Sequence, residues 1–227
     1  MVKPVAWRPA YRIIDSRYPF VGIYDRVADP SILEDVAEIE ALTNERVLDE
    51  LGTLALVRAE DRVSGAGTTP IMAAFTHARP SRFSDGSFGV YYAANRRTTA
   101  IAEVRHHKAR FLRESREPSI DLDMRVYAAD VHGRFEDIRS IDDGDPLYDE
   151  TSYAAAQRFA SSVYEANARD GVVYRSVRDR SRGAHCVAVF RPRCITNCMP
   201  VAYLTFRWNG TTISDAYVKE EIIRFPN

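Results

Sequence analysis

The apolar positions of the chain recur at two spacings. Over residues 31–51 they fall at Ile32, Leu33, Val36, Ile39, Leu42, Val47, Leu48 and Leu51, close to the 3.6-residue period of a helix. The other face of that helix is acidic, with Glu34, Asp35, Glu38, Glu40, Glu45, Asp49 and Glu50, and reads as a solvated face or a partner surface. A second stripe, Ala100, Ile101, Val104, Phe111 and Leu112, predicts a helix over 98–113, with Thr98 or Thr99 capping its first turn. A third, through Tyr153, Ala156, Phe159, Ala160, Val163 and Tyr164, predicts one over 152–169. Short apolar runs predict strands at 88–94, 123–131, 171–174, 185–190, 201–208 and 211–217. The first 30 residues, rich in Tyr, Pro and Arg, read as irregular or short strand. Residues 65–82 read as loop around the apolar run 71–75, and 138–151 as an acidic, turn-rich connection. Several connections are too short for parallel crossovers, which predicts an α+β fold with a mixed central sheet. No linker divides the chain. It reads as one structural unit, with an N-terminal extension over 1–55, its acidic helix packed on the core, and a main domain over 56–227.

Composition narrows this little. A chain of 227 residues, 45% hydrophobic and 28% charged, is long enough to bury a core without disulfides or metal. Its net charge of −1 argues against broad binding of nucleic acid, though not against a local anion site. No apolar run approaches the ~20 residues of a membrane helix, and the first residues lack the apolar core of a signal peptide. The expectation is a cytoplasmic protein. Cys186, Cys194 and Cys198 form no disulfide framework. With His185 they also lack four well-spaced ligands, so no metal site is expected.

The chemistry-bearing residues concentrate between 79 and 103. Arg82 offers a fork for phosphate oxygens or an ordinary salt bridge. Tyr91 and Tyr92 point to opposite faces of a strand, so one is core and the other is free to stack on a flat ring. Glu103 borders the buried stripe of its helix. It reads either as a partly desolvated functional acid or as a carboxylate favoured near a helix start. Ser176 ends a strand and is a site residue or a turn serine; with His185 and an Asp it could also form a hydrolase triad. The stretch 65–70 is no dinucleotide fingerprint, because Pro70 stands in place of the third glycine. Residues 96–116 hold seven Lys or Arg against two Glu, a solvated face or a landing place for an acidic tail.

Taken together, these fragments resemble the RES-domain family. The resemblance rests on Arg62-Val-Ser-Gly65-Ala-Gly67, Met72-Ala-Ala-Phe-Thr-His77, Ser81-Arg82-Phe-Ser-Asp-Gly86-Ser-Phe-Gly89-Val-Tyr91-Tyr92-Ala-Ala and Thr99-Ala-Ile-Ala-Glu103. It continues through Gly171-Val-Val-Tyr-Arg-Ser176 and Val187-Ala-Val-Phe-Arg-Pro192, and spans roughly residues 58–195. It implies an ADP-ribosyltransferase-like fold and the toxin half of a toxin–antitoxin pair that consumes NAD⁺. The partner it implies is an Xre-type helix-turn-helix antitoxin, with DNA reached only through that partner and a homodimer within the complex. Members degrade NAD⁺ by hydrolysis or phosphorolysis, or ADP-ribosylate a protein. Carried over by position, Glu103 is the acid, Arg62 and Arg82 the site arginines, Tyr92 or Tyr91 the stacking ring and Ser176 the polar group. NAD⁺ is then a substrate, and no metal or prosthetic group is implied. The competing readings are a non-catalytic co-repressor within an antitoxin–DNA complex and the Ser176–His185 hydrolase.

Overall fold

The structure is a computed structural model and describes residues 2–16, 22–27, 29–33, 35, 36, 49 and 51–219. Most of the predicted acidic helix over 31–51 lies outside the described residues. The strands are β1 (Val2–Asp15), β2 (Tyr91–Ala94), β3 (Ile120–Asp137), β4 (Gly171–Arg175), β5 (His185–Val189), β6 (Ile195–Trp208) and β7 (Ile213–Lys219). The helices are α1 (Ile23–Arg26), α2 (Thr69–Thr76), α3 (Arg97–Glu114) and α4 (Ala154–Glu165). The strands form one seven-stranded sheet in the order β1-β2-β5-β4-β3-β6-β7, with β1 also paired to β3. The β3–β4 ladder is parallel and the other ladders are antiparallel. This is a mixed α+β fold.

Two segments differ from their sequence-based reading. The opening segment is a long strand, running in register against β3 from Val2↔Glu136 to Asp15↔Met124. Its register shifts between Trp7 and Ala10, around Pro9, which has no N–H to give a ladder. Residues 2–15 therefore belong to the central sheet itself. The apolar run at 71–75 lies on α2, whose Pro70 stands in the first turn, where a fixed φ suits a helix and no N–H is missed. Ile71, Met72 and Phe75 are buried from it.

Strand alternation divides the core between the two faces of the sheet. One face carries Tyr91, Ala93, Val173, Val187 and Val189 with Tyr24 of α1 and Ile71, Met72 and Phe75 of α2. The other carries Ala94, Val172, Tyr174, Cys186 and Ala188 with Ala100 and Leu112 of α3 and Ala156 and Ala160 of α4. Each fully buried Val, Ile, Leu, Met or Phe side chain among these stabilises the fold by about 1.5–3 kcal/mol before entropy is counted. Two glycines allow the layers to close. At Gly89 an added Cβ would lie 2.1 Å from Phe75 Cα on α2. At Gly171, with φ at 149°, it would lie 2.0 Å from the Ala188 carbonyl oxygen on β5. Among the described residues no helix is long and apolar enough to cross a membrane.

Candidate functional site

A cleft of about 440 Å³ opens on the α3 face of the sheet, within the range of small-molecule sites. One wall is α3. Ala100, Glu103, Val104, His107 and Phe111 recur at steps of three and four, so a single stripe of the helix faces the cleft. The floor comes from β1 (Tyr11, Arg12, Ile13), β2 (Tyr92, Ala93, Ala94), Tyr174 and Cys186. The far wall is Pro80, Ser81, Arg82 and Tyr153.

The segment holding Arg82 is a tight turn fastened from inside. Ser81 N donates to Ser84 O (2.7 Å), and Ser84 Oγ donates to Phe88 O (2.6 Å). Gln157 of α4 donates to the carbonyls of Ser81 (2.9 Å) and Ser84 (3.1 Å). Arg82 itself is 7% exposed. Its Nη1 donates to the carbonyls of Leu147 (3.2 Å) and Asp149 (2.9 Å), and its guanidinium lies 4.6 Å from the Tyr153 ring centroid. Arg82 Nη2 is buried with no hydrogen-bond partner among the described residues. A buried guanidinium nitrogen in that state is poised for an anionic oxygen.

Tyr92 meets this turn from β2. Its hydroxyl accepts from Phe83 N (2.9 Å) and shares a hydrogen bond with Ser81 Oγ (2.9 Å). Burial pushes its phenol up to about 12, so it stays neutral. With the hydroxyl used by the turn, the ring is what Tyr92 offers the cleft. Tyr91 is fully buried on the opposite face, its ring 4.7 Å from the Arg12 guanidinium and its hydroxyl 3.9 Å from Cys198 Sγ. The alternative that Tyr91 stacks on a ligand is thereby corrected, because strand alternation turns it into the α2 core.

Glu103 projects from α3 toward the ends of β4 and β5. Its Oε1 accepts from Ser176 Oγ at 2.5 Å and lies 3.9 Å from Cys186 Sγ. Ser176 Oγ in turn accepts from the backbone N–H groups of Arg178 (3.2 Å) and Asp179 (2.8 Å). Thr98 and Thr99 do not cap α3: Arg96 is the N-cap residue, with no side-chain cap, and Thr99 Oγ1 donates to Asp179 Oδ2 at 2.7 Å. His107 stands one turn beyond Glu103. Loss of water around its ring, and then Arg178, Arg82 and Arg110, push its imidazole down to about 4, so it is neutral at pH 7.

The structure thus brings Glu103, Arg82, Tyr92 and Ser176 to one cleft and its margin. It does not bring Arg62 there. Arg62 follows a 3-10 turn whose neighbours Val57 and Val63 pack on the α2 face, and its Nε donates to Val57 O at 3.2 Å. Arg12, which the sequence does not single out, borders the cleft from β1, but its guanidinium lies over the Tyr91 ring on the α2 face. Its Nη1 donates to Tyr92 O (3.3 Å), its Nε is buried without a partner among the described residues, and burial lowers its pKa. Alternation with Tyr11 and Ile13, which face the cleft, turns the Arg12 side chain to the α2 side. The hydrolase triad does not form. Ser176 gives its one proton to Glu103, and His185 Nδ1 lies 3.4 Å from Arg139 Nη1. Among the described residues no three His, Cys, Asp or Glu converge as a metal site.

In chemical terms the cleft offers a carboxylate held by a serine, a buried guanidinium and an aromatic ring. That set suits a ligand with anionic oxygens, a flat ring and a centre where positive charge develops. The family model of the RES domain matches residues 55–209. The uncharacterized protein y4oC of Sinorhizobium fredii (strain NBRC 101917 / NGR234) is 32% identical over 213 residues, covering 93% of this chain and 87% of that protein.

Proposed function

Since the chain belongs to the RES domain family, which is associated with NAD-acting toxins, we propose that it cleaves the nicotinamide–ribose bond of NAD⁺ as the toxin of a toxin–antitoxin pair. The observation that carries this reading is the Glu103–Ser176 bond of 2.5 Å at the back of a cleft that also holds Arg82. Cleavage of the glycosidic bond sends its electron pair to the nicotinamide nitrogen and leaves positive charge on the ribose C1′. The Glu103 carboxylate faces that charge and lowers the barrier by opposing it. Arg82 Nη2 holds the pyrophosphate, and the Tyr92 ring stacks on the nicotinamide. Water then adds at C1′ and loses a proton, giving ADP-ribose, nicotinamide and H⁺. Phosphate in place of water gives a phosphorylated ADP-ribose instead. The antitoxin partner, an Xre-type protein, belongs to the same proposal.

The test is proton NMR of NAD⁺ incubated with the purified protein, with and without inorganic phosphate. Free nicotinamide is expected, and the companion product names the acceptor. Glu103→Gln removes the charge but keeps the shape. It should lower kcat by about 100- to 1000-fold, and its expression should relieve growth arrest. NAD⁺ left intact by folded protein, with cell extract present as a source of acceptors, overturns the proposal in favour of a binding module. Nicotinamide released only with a protein target marks an ADP-ribosyltransferase.

A further inference from the structure

The hydrogen bonds of Ser176 show that its hydroxyl is fully used inside the protein. A serine hydroxyl has one proton and two lone pairs. Here the proton goes to Glu103 and the lone pairs take two backbone N–H groups of the loop that follows β4. The direction in which Ser176 aims Glu103 is therefore set by the backbone at 178 and 179.

That backbone is fastened to α3. Asp179 Oδ2 accepts from Thr99 Oγ1 at 2.7 Å, and its Oδ1 accepts from Ser181 N at 3.0 Å. Burial alone would raise the Asp179 carboxyl, but the bonds from Ser181 and Thr99 outweigh it and hold it below the usual range. Thr99 is wholly buried, so its hydroxyl has no competing water. It also precedes Glu103 by four residues, one turn of the same helix face. Two parallel rungs thus join α3 to the loop, Thr99–Asp179 and Glu103–Ser176. The loop's far end is tied down separately, by Asn95 Nδ2 to Gly183 O (2.9 Å) and His185 N to Asn95 Oδ1 (3.0 Å).

We propose that Asp179 and Thr99 are positioning residues for Glu103, acting through Ser176 by clamping the 176–185 loop to the second rung's own helix. The proposal rests on the reading of Glu103 as the group facing the reacting ribose. Without the Thr99 rung, the N–H groups at 178 and 179 drift, the Ser176 hydroxyl turns, and the carboxylate loses its aim while Arg82 and Tyr92 keep theirs. The loss therefore falls on kcat and leaves KM for NAD⁺ nearly unchanged.

The test compares Asp179→Asn, Thr99→Val and Thr99→Ser by nicotinamide release from NAD⁺. Thr99→Val is expected to lower kcat about 10- to 100-fold, the scale of a small misplacement in a site, with KM within about twofold. Thr99→Ser retains the hydroxyl and should keep most of the activity. In a Ser176→Ala background, Asp179→Asn should add little, because its route is already cut. Equal loss in both backgrounds, full kcat in Thr99→Val, or a rise in KM without a fall in kcat overturns the proposal. Should the wild type leave NAD⁺ untouched, the clamp is still read by ¹³C NMR of the Glu103 side-chain carboxyl. Thr99→Val and Ser176→Ala should move that signal alike, and a signal unmoved by Thr99→Val overturns the clamp whatever the substrate.

Discussion

The α2 face of the sheet is closed and the α3 face is open, and two neighbouring tyrosines measure the difference. Tyr91 points into the closed face, with no exposed surface, its ring under the Arg12 guanidinium and its hydroxyl against Cys198. Tyr92 points into the open face, where its hydroxyl ties down the turn at 81–83 and its ring borders the cleft. The residues are chemically identical and adjacent. Strand alternation alone makes one of them packing and the other a wall of the site. Arg12 ties the closed face to the strand that carries Tyr92: it covers Tyr91 and gives its Nη1 to the Tyr92 backbone carbonyl. The lesson is that the open face is held in shape by the closed one, so damage to each should appear in a different measurement.

The largest effect should come from emptying the closed face. Tyr91→Ala removes a fully buried ring and should cost about 3–5 kcal/mol, read as a lower urea midpoint at unchanged slope. On the open face, Tyr92→Phe keeps the ring and removes the hydroxyl from Phe83 N–H and Ser81. It should cost about 1–3 kcal/mol for the groups left unpaired. NAD⁺ turnover should fall less in Tyr92→Phe than in Tyr92→Ala, because the stacking ring survives. Equal stability losses in Tyr91→Ala and Tyr92→Phe would contradict the contrast between the faces.

The open face was also the more legible one in the sequence. Arg82, Tyr92 and Glu103 lie within one stretch of the chain, and a turn, a strand and a helix in close succession deliver them to the same cleft. Ser176 was readable because it ends a short apolar strand. Helices α3 and α4 and the strands after residue 170 followed from their periodicity, with their ends displaced by a few residues. Arg12 and β1 were not readable, because the order of β1 comes from β3, more than a hundred positions away, and Pro4 and Pro9 hide its alternation. Arg62 was misplaced for the reverse reason. A local motif marks a stretch of chain but not a face of the sheet, and its neighbours Val57 and Val63 hold it on the α2 side. Alternation separated Tyr91 from Tyr92, yet only the helices packed on each face decide which of the two meets a ligand.

The smallest expected effect sharpens the contrast through charge. His107 lines the cleft among Arg178, Arg82 and Arg110, and loss of water and those charges hold its imidazole at about 4, against 6.5 for a free ring. Above pH 6.5 the ring is neutral in both the folded and the unfolded chain, and it has no pH-dependent effect on stability. Below 6.5 the unfolded chain takes up the proton first, so stability falls as the pH drops toward 4 and levels off beneath it. Although its ring is shielded on the cleft side, the residue keeps an exposed edge, so solvent reduces the size of the effect without changing its sign. Urea midpoints of wild type and His107→Gln, compared from pH 7 to pH 4, isolate this contribution because the carboxylates titrate alike in both. The variant should lose stability less steeply over that range. Parallel curves would mean that the positive charge of the cleft does not reach His107, and that the open face is less cationic than its guanidiniums suggest.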